Sequence, residues 1–119
     1  YDMLRDGAGS NGDRTASDRL PTIVNARFAK PLDEALLLEL ESGHRRLITL
    51  EEHSVAAGFG SAVAEFVSDR GLNLSVERIG VPNVLVQHDS QEKQRAMFGL
   101  SAAAIATRVA ATMDLPIAR

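Results

Sequence analysis

Glu51, Glu52 and His53 are the densest concentration of chemistry in this 119-residue chain: two acids and an imidazole in successive positions, then a turn carrying Gly58 and Gly60. A carboxylate beside an imidazole can work as an acid-base pair, bind a cation or hold an amide-rich partner. Successive strand residues point to opposite faces, however, so only one of the two glutamates can face a given site, which argues against a paired-carboxylate mechanism. The plainer arrangement is that one glutamate takes hydrogen bonds from the following turn or helix N-terminus while the other is solvated. Gly58 and Gly60 carry a similar double reading. They either open a helix N-terminus to an anion or permit a tight strand-to-helix turn. Ser61 does not read as an esterase nucleophile, because Val63 stands where G-x-S-x-G requires glycine.

The remaining candidates are weaker. The other two histidines, His44 and His88, share no metal-ligand spacing with His53, and no H-E-x-x-H occurs, so a metal site would need three separate elements to converge. His44 follows Gly43 at an expected helix end, where a cation complements the dipole, and His88 beside Asp89 reads as loop surface. Gly7, Gly9 and Gly12 spell G-x-G-x-x-G, but that motif cradles a pyrophosphate only between a strand and a helix, and neither flank supplies one. The same stretch fails as a calcium loop, since Ala8 offers no oxygen at the third position and Asn11 replaces the turn glycine. Asp6 to Ser17 therefore reads as an exposed loop.

The elements that would position these residues follow from periodicity. Leu47, Ile48 and Leu50 form a short apolar run of strand length, with Glu51 to His53 at its carboxyl end, where ligands and partner domains gather in open α/β sheets. Phe59, Ala62, Val63, Phe66 and Val67 then recur with helical spacing, giving a helix that ends near Gly71. Upstream, Thr22 to Arg27 reads as a buried strand. Leu32 to Glu41 reads as a helix: Pro31 suits its first turn, Asp33 and Glu34 complement its dipole, Leu32, Ala35, Leu36 and Leu40 form its buried face, and Gly43 is its C-cap. Leu74 to Ile79 alternates as a further strand, and Gly80 to Asp89 is a loop or short edge segment. Ser90 caps a helix that runs through Phe98 and ends at Gly99, and Ser101 caps a last helix on which Ile105, Val109 and Met113 share a face. Strands alternating with helices imply an α/β fold, three-layer α/β/α, with a mostly parallel sheet.

Composition fits one small soluble domain. A net charge of −3 with scattered Lys and Arg gives no basic stripe, which argues against nucleic acid as a partner. The chain has no cysteine, hence no disulfide framework, thiolate zinc site or thiol nucleophile, in keeping with a cytoplasmic location. Apolar runs look too short for a membrane span, and no signal-peptide pattern opens the chain. The start at Tyr1 reads as a piece of a longer polypeptide, with residues 1–20 a flexible segment and 21–119 the domain.

Four blocks, taken together, carry a family resemblance: NARFAKPLD at Asn25 to Asp33, LEEHSVAAGFGSAVAEF at Leu50 to Phe66, IGVPNVLVQH at Ile79 to His88, and Phe98-Gly99-Leu100 before an alanine-rich helix. In order and spacing they resemble the C-terminal domain of the 1-deoxy-D-xylulose 5-phosphate synthases, a domain of the transketolase C-terminal type, over Leu20 to Met113. Related modules in transketolases and in the beta subunits of 2-oxo acid dehydrogenases share the strand, acidic residue and glycine turn but not the wording of these blocks. The chain departs from the family at Ala57, the first glycine of the usual GGFG, at Asn83, usually Asp, and at Asp89, usually Gly.

The resemblance implies a thiamine diphosphate and Mg²⁺ enzyme that decarboxylates pyruvate and joins the two-carbon unit to glyceraldehyde 3-phosphate in isoprenoid biosynthesis. It implies that cofactor and metal are held by other domains and none by this chain, that the full-length transferase is a homodimer, and that this domain contributes no catalytic residue. The domain's first strand would precede Tyr1, leaving a strand edge open. Glu51, Glu52, His53, Gly58 and Gly60 then become candidates for docking against a neighbouring domain rather than for catalysis. The alternatives are a free-standing α/β binding module of the same fold, using the Glu51 to Gly60 turn to hold an anion or a protein, or the corresponding domain of a transketolase or of a 2-oxo acid dehydrogenase beta subunit.

Overall fold

A computed structural model describes residues 21–114, so the glycine-rich loop and the 1–20 segment lie outside the described residues. The element order is α1 (Glu34–Gly43), β1 (Arg46–Ser54), α2 (Phe59–Asp69), β2 (Ser75–Val81), α3 (Gln91–Met97) and α4 (Ala102–Asp114). Strands β1 and β2 pair in parallel, Arg46 beside Ser75 and Leu50 beside Ile79, with α2 as the crossover between them. The register breaks between Leu50 and Ser54, so Glu51, Glu52 and His53 stand on a bulge at the strand's carboxyl end.

Helices pack on one face of the sheet and reach the other in part. On one side Val63, Phe66 and Val67 of α2 pack with Leu37 of α1 and with Leu74, against Leu47 and Val76 of the strands. Val63 is 1% exposed, and burying such a side chain is worth about 2 kcal/mol. On the other side α4 reaches the sheet through Thr112 and Arg108, which bond Glu77 of β2. Helix starts are capped by side chains, at Ser90 and Ser101 as the sequence suggests and at Asp33, which the sequence reading places inside the helix. Asp33 accepts from Leu36 N at 3.0 Å, Ser90 from Lys93 N at 3.4 Å and Ser101 from Ala104 N at 3.3 Å, each cap contributing about 1 kcal/mol.

Several expectations change. Thr22 to Arg27 is not a buried strand: it takes no regular structure, and Ile23 is 89% exposed, because among the described residues no strand pairs with it. Helix α1 begins at Glu34 rather than Leu32 and buries Leu37, while Ala35 is exposed and Leu36 and Leu40 are half-buried. Three consecutive leucines leave the phase of the apolar stripe undetermined until the N-cap at Asp33 fixes it. Gly43 is the last helical residue and His44 the C-cap. Met113 is exposed, so the shared face of α4 is covered only at Ile105 and Val109, which are half-buried. The stretch Gln91–Met113 has the length and composition of a membrane span, which the sequence reading overlooked. It is divided into α3 and α4 by Phe98 to Ser101, with Gly99 at φ +68°, so it does not form the single long helix that crossing requires.

Candidate functional site

Glu51 is half-buried, and its carboxylate lies on the N-terminus of α2. Oε2 accepts from Phe59 N at 2.8 Å and Oε1 from Gly60 N at 3.1 Å, so both oxygens meet backbone donors that the helix itself cannot satisfy. Gly58, the N-cap, has no side chain with which to do this; the cap comes from the neighbouring strand instead. An anion does sit at this helix start, and it is the chain's own. An external phosphate would find the donors taken and a negative charge in place.

Glycines make the approach possible. A Cβ on Gly58 would fall 2.2 Å from Glu51 Oε2 and 2.5 Å from the Ser54 carbonyl oxygen, and one on Gly60 would fall 2.4 Å from Thr49 Oγ1. Gly80 of β2 closes the third side, where a Cβ would lie 2.9 Å from Glu51 Cγ. The sequence singled out Gly58 and Gly60 but not Gly80, whose partner is on the adjacent strand. Thr49 Oγ1 is buried beside Gly60 with no hydrogen-bond partner among the described residues. Ser61 Oγ donates to the Val55 carbonyl at 2.7 Å and receives from Arg78 Nη1 at 2.8 Å, pinning the loop that leads into the helix. Arg78 is a second residue that sequence reasoning passed over, because its partners lie on the other side of the crossover.

Glu52 points the other way. It is exposed and pairs with Arg95 of α3 at 2.6 Å. The two glutamates thus divide between opposite sides of the strand, as alternation requires, and do not form a carboxylate pair. His53 is exposed beside Glu52 and, with Glu52, Arg95, Pro82, Val86 and Phe98, lines an open groove of about 420 Å³. His44 stays at the end of α1, its Nδ1 3.1 Å from the Leu40 carbonyl oxygen and its Nε2 3.0 Å from Thr22 Oγ1. His88 is exposed loop surface. Among the described residues no three His, Asp or Glu side chains gather as a metal site.

What the corner can do chemically is limited by how fully Glu51 is engaged. The Glu51 carboxylate is clamped in place as a helix cap, whereas Glu52, His53 and Arg95 present charge and hydrogen bonds outward, beside apolar Val84 and Val86, both exposed.

Comparison with known proteins bears on what this corner serves. The family described as "Transketolase, C-terminal domain" matches residues 16–105. The chain is 46% identical over 95 residues to a 1-deoxy-D-xylulose-5-phosphate synthase of Cyanothece sp., covering 80% of this chain and 15% of that protein. It is 48% identical over 88 residues to the synthase of Trichormus variabilis, covering 74% and 14%. Against the synthase of Pectobacterium atrosepticum it is 47% identical over 93 residues, covering 78% and 15%. The chain thus spans about 15% of the length of these relatives.

Proposed function

The chain belongs to the transketolase C-terminal domain family, and on that premise we propose that it is the C-terminal domain of a 1-deoxy-D-xylulose 5-phosphate synthase. The observation that carries this reading is the 46–48% identity, over about three quarters of the chain, to proteins of that name. The whole enzyme would join pyruvate and glyceraldehyde 3-phosphate with thiamine diphosphate and Mg²⁺, in the cytoplasm and as a homodimer. The domain's part is structural: the outward groups Glu52 and His53, on a strand end held rigid by Glu51, Gly58 and Gly60, face a neighbouring domain of the same enzyme. The engagement of both Glu51 oxygens at the α2 N-terminus supports the view that cofactor and metal are held elsewhere.

Domain replacement tests the proposal. Residues 1–119 alone, supplied with both substrates, thiamine diphosphate and Mg²⁺, should give no turnover. A synthase such as that of Pectobacterium atrosepticum, deprived of its matching C-terminal region, should regain turnover when this chain is fused in its place. Turnover by the chain alone, or a folded chimera without any, would overturn the reading.

A further inference from the structure

Helix α4 is attached to the sheet by polar groups. Its apolar Ile105 and Val109 are only half-buried, Met113 is 44% exposed, and the buried member of the helix is Thr112, at 8%. Thr112 Oγ1 donates to Glu77 Oε2 at 2.8 Å, and Arg108 Nε donates to Glu77 Oε1 at 2.5 Å. Arg46 Nη1, from β1, donates to the Thr112 carbonyl oxygen at 2.7 Å. Both strands therefore grip the last turns of one helix, and the side-chain part of the grip converges on a single carboxylate.

We propose that α4 is a detachable helix latched to the sheet through Glu77, and that neutralising this carboxylate frees α4 while β1, β2 and α2 remain folded. The physical basis is the asymmetry of what each helix buries. Helix α2 contributes Val63, Phe66 and Val67 to the core, and its release would expose all three. Helix α4 contributes no side chain to that core, so its release forfeits mainly the latch and the partial cover of its apolar face. A protonated Glu77 accepts weakly from Arg108 and leaves that guanidinium without its counter-charge.

The charged groups that act on Glu77 among the described residues are Arg108 from α4 and Arg46 from β1. Burial by itself would raise the carboxyl, but the hydrogen bonds from Thr112 and Arg108 and the two guanidinium charges outweigh it and hold the group below its ordinary value of 4.5. A carboxyl lowered in this way favours the closed state above its unfolded value. That contribution is lost as pH falls through the lowered one.

Hydrogen exchange on the 119-residue chain, corrected for intrinsic rates, reads the latch directly. Amides of residues 105–113 should lose protection about fivefold between about pH 7 and the acid side of the carboxylate range, while those of α2 hold theirs. Glu77→Gln should show the loss already at neutral pH and no further pH dependence. Arg108→Gln, which keeps the carboxylate, should show a smaller loss, and it preserves the test if the Glu77 variant does not fold. Loss of protection in α4 and α2 together, or full protection of α4 in both variants, would overturn the proposal.

Discussion

Glu51 on β1 and Glu77 on β2 are both strand carboxylates that hold a helix to the sheet, one on each face, and they differ in what they bind. Glu51 accepts from the backbone N–H groups of Phe59 and Gly60, donors fixed by the helix itself. Glu77 accepts from the side chains of Thr112 and Arg108, donors carried on rotatable stems. Backbone donors must be approached closely, and the approach demands bare backbone, hence glycine at 58, 60 and 80. Side-chain donors demand only a polar residue within reach. The α2 corner is therefore exacting in sequence and rigid, while the α4 contact is tolerant and separable.

The largest effect should come from filling the corner. Gly58→Ala places a methyl 2.5 Å from the Ser54 carbonyl oxygen as well as against Glu51, and should cost about 3 kcal/mol in urea unfolding. Gly43→Ala is the control, since nothing lies within 4 Å of a Cβ there; an equal loss at both positions would show that the corner is not tight. Next, Glu51→Ala removes the helix's anionic cap and should cost about 2 kcal/mol, with Glu51→Gln recovering about half because one acceptor remains. On the other face, Glu77→Gln should cost about 1 kcal/mol at neutral pH. That difference from the parent should begin to shrink near 4.5, where the unfolded carboxyl takes up its proton, and be lost as pH falls through the lowered folded value; a constant difference down to strong acid would contradict the latch.

The smallest effect has the opposite sign. Ala57 sits at φ +58°, a left-handed conformation that costs a side-chain-bearing residue about 1 kcal/mol, so Ala57→Gly should stabilise the chain by about 0.5 kcal/mol after the entropy of the freer unfolded chain is counted. This is the position at which the chain departs from the glycine pair of its family resemblance, and the backbone angle gives the physical reason for that glycine. An unchanged or lowered unfolding midpoint would mean that the turn relaxes around Ala57.

The α2 side was legible because its signals are local. The apolar spacing of Phe59 to Val67, the glycines at its start and the acids ahead of them fall within one short stretch, and the alternation rule alone separates Glu51 from Glu52. The α4 side was not legible, because Glu77 looks like one polar residue of an alternating strand and its partners lie 31 and 35 residues away. Thr22 to Arg27 misled for the converse reason. Its composition suits a strand, but pairing is a property of two segments, and composition reports on one.

The spacing of the Glu51 bonds also sets an order of assembly. They join residues 8 and 9 apart, whereas the sheet must bring Arg46 beside Ser75 across the whole crossover helix. The shorter loop closes at a smaller entropic cost, so we expect it to form before the longer one. Substitutions at Glu51 should therefore slow refolding in proportion to the stability they remove, while those at Glu77 should chiefly speed unfolding.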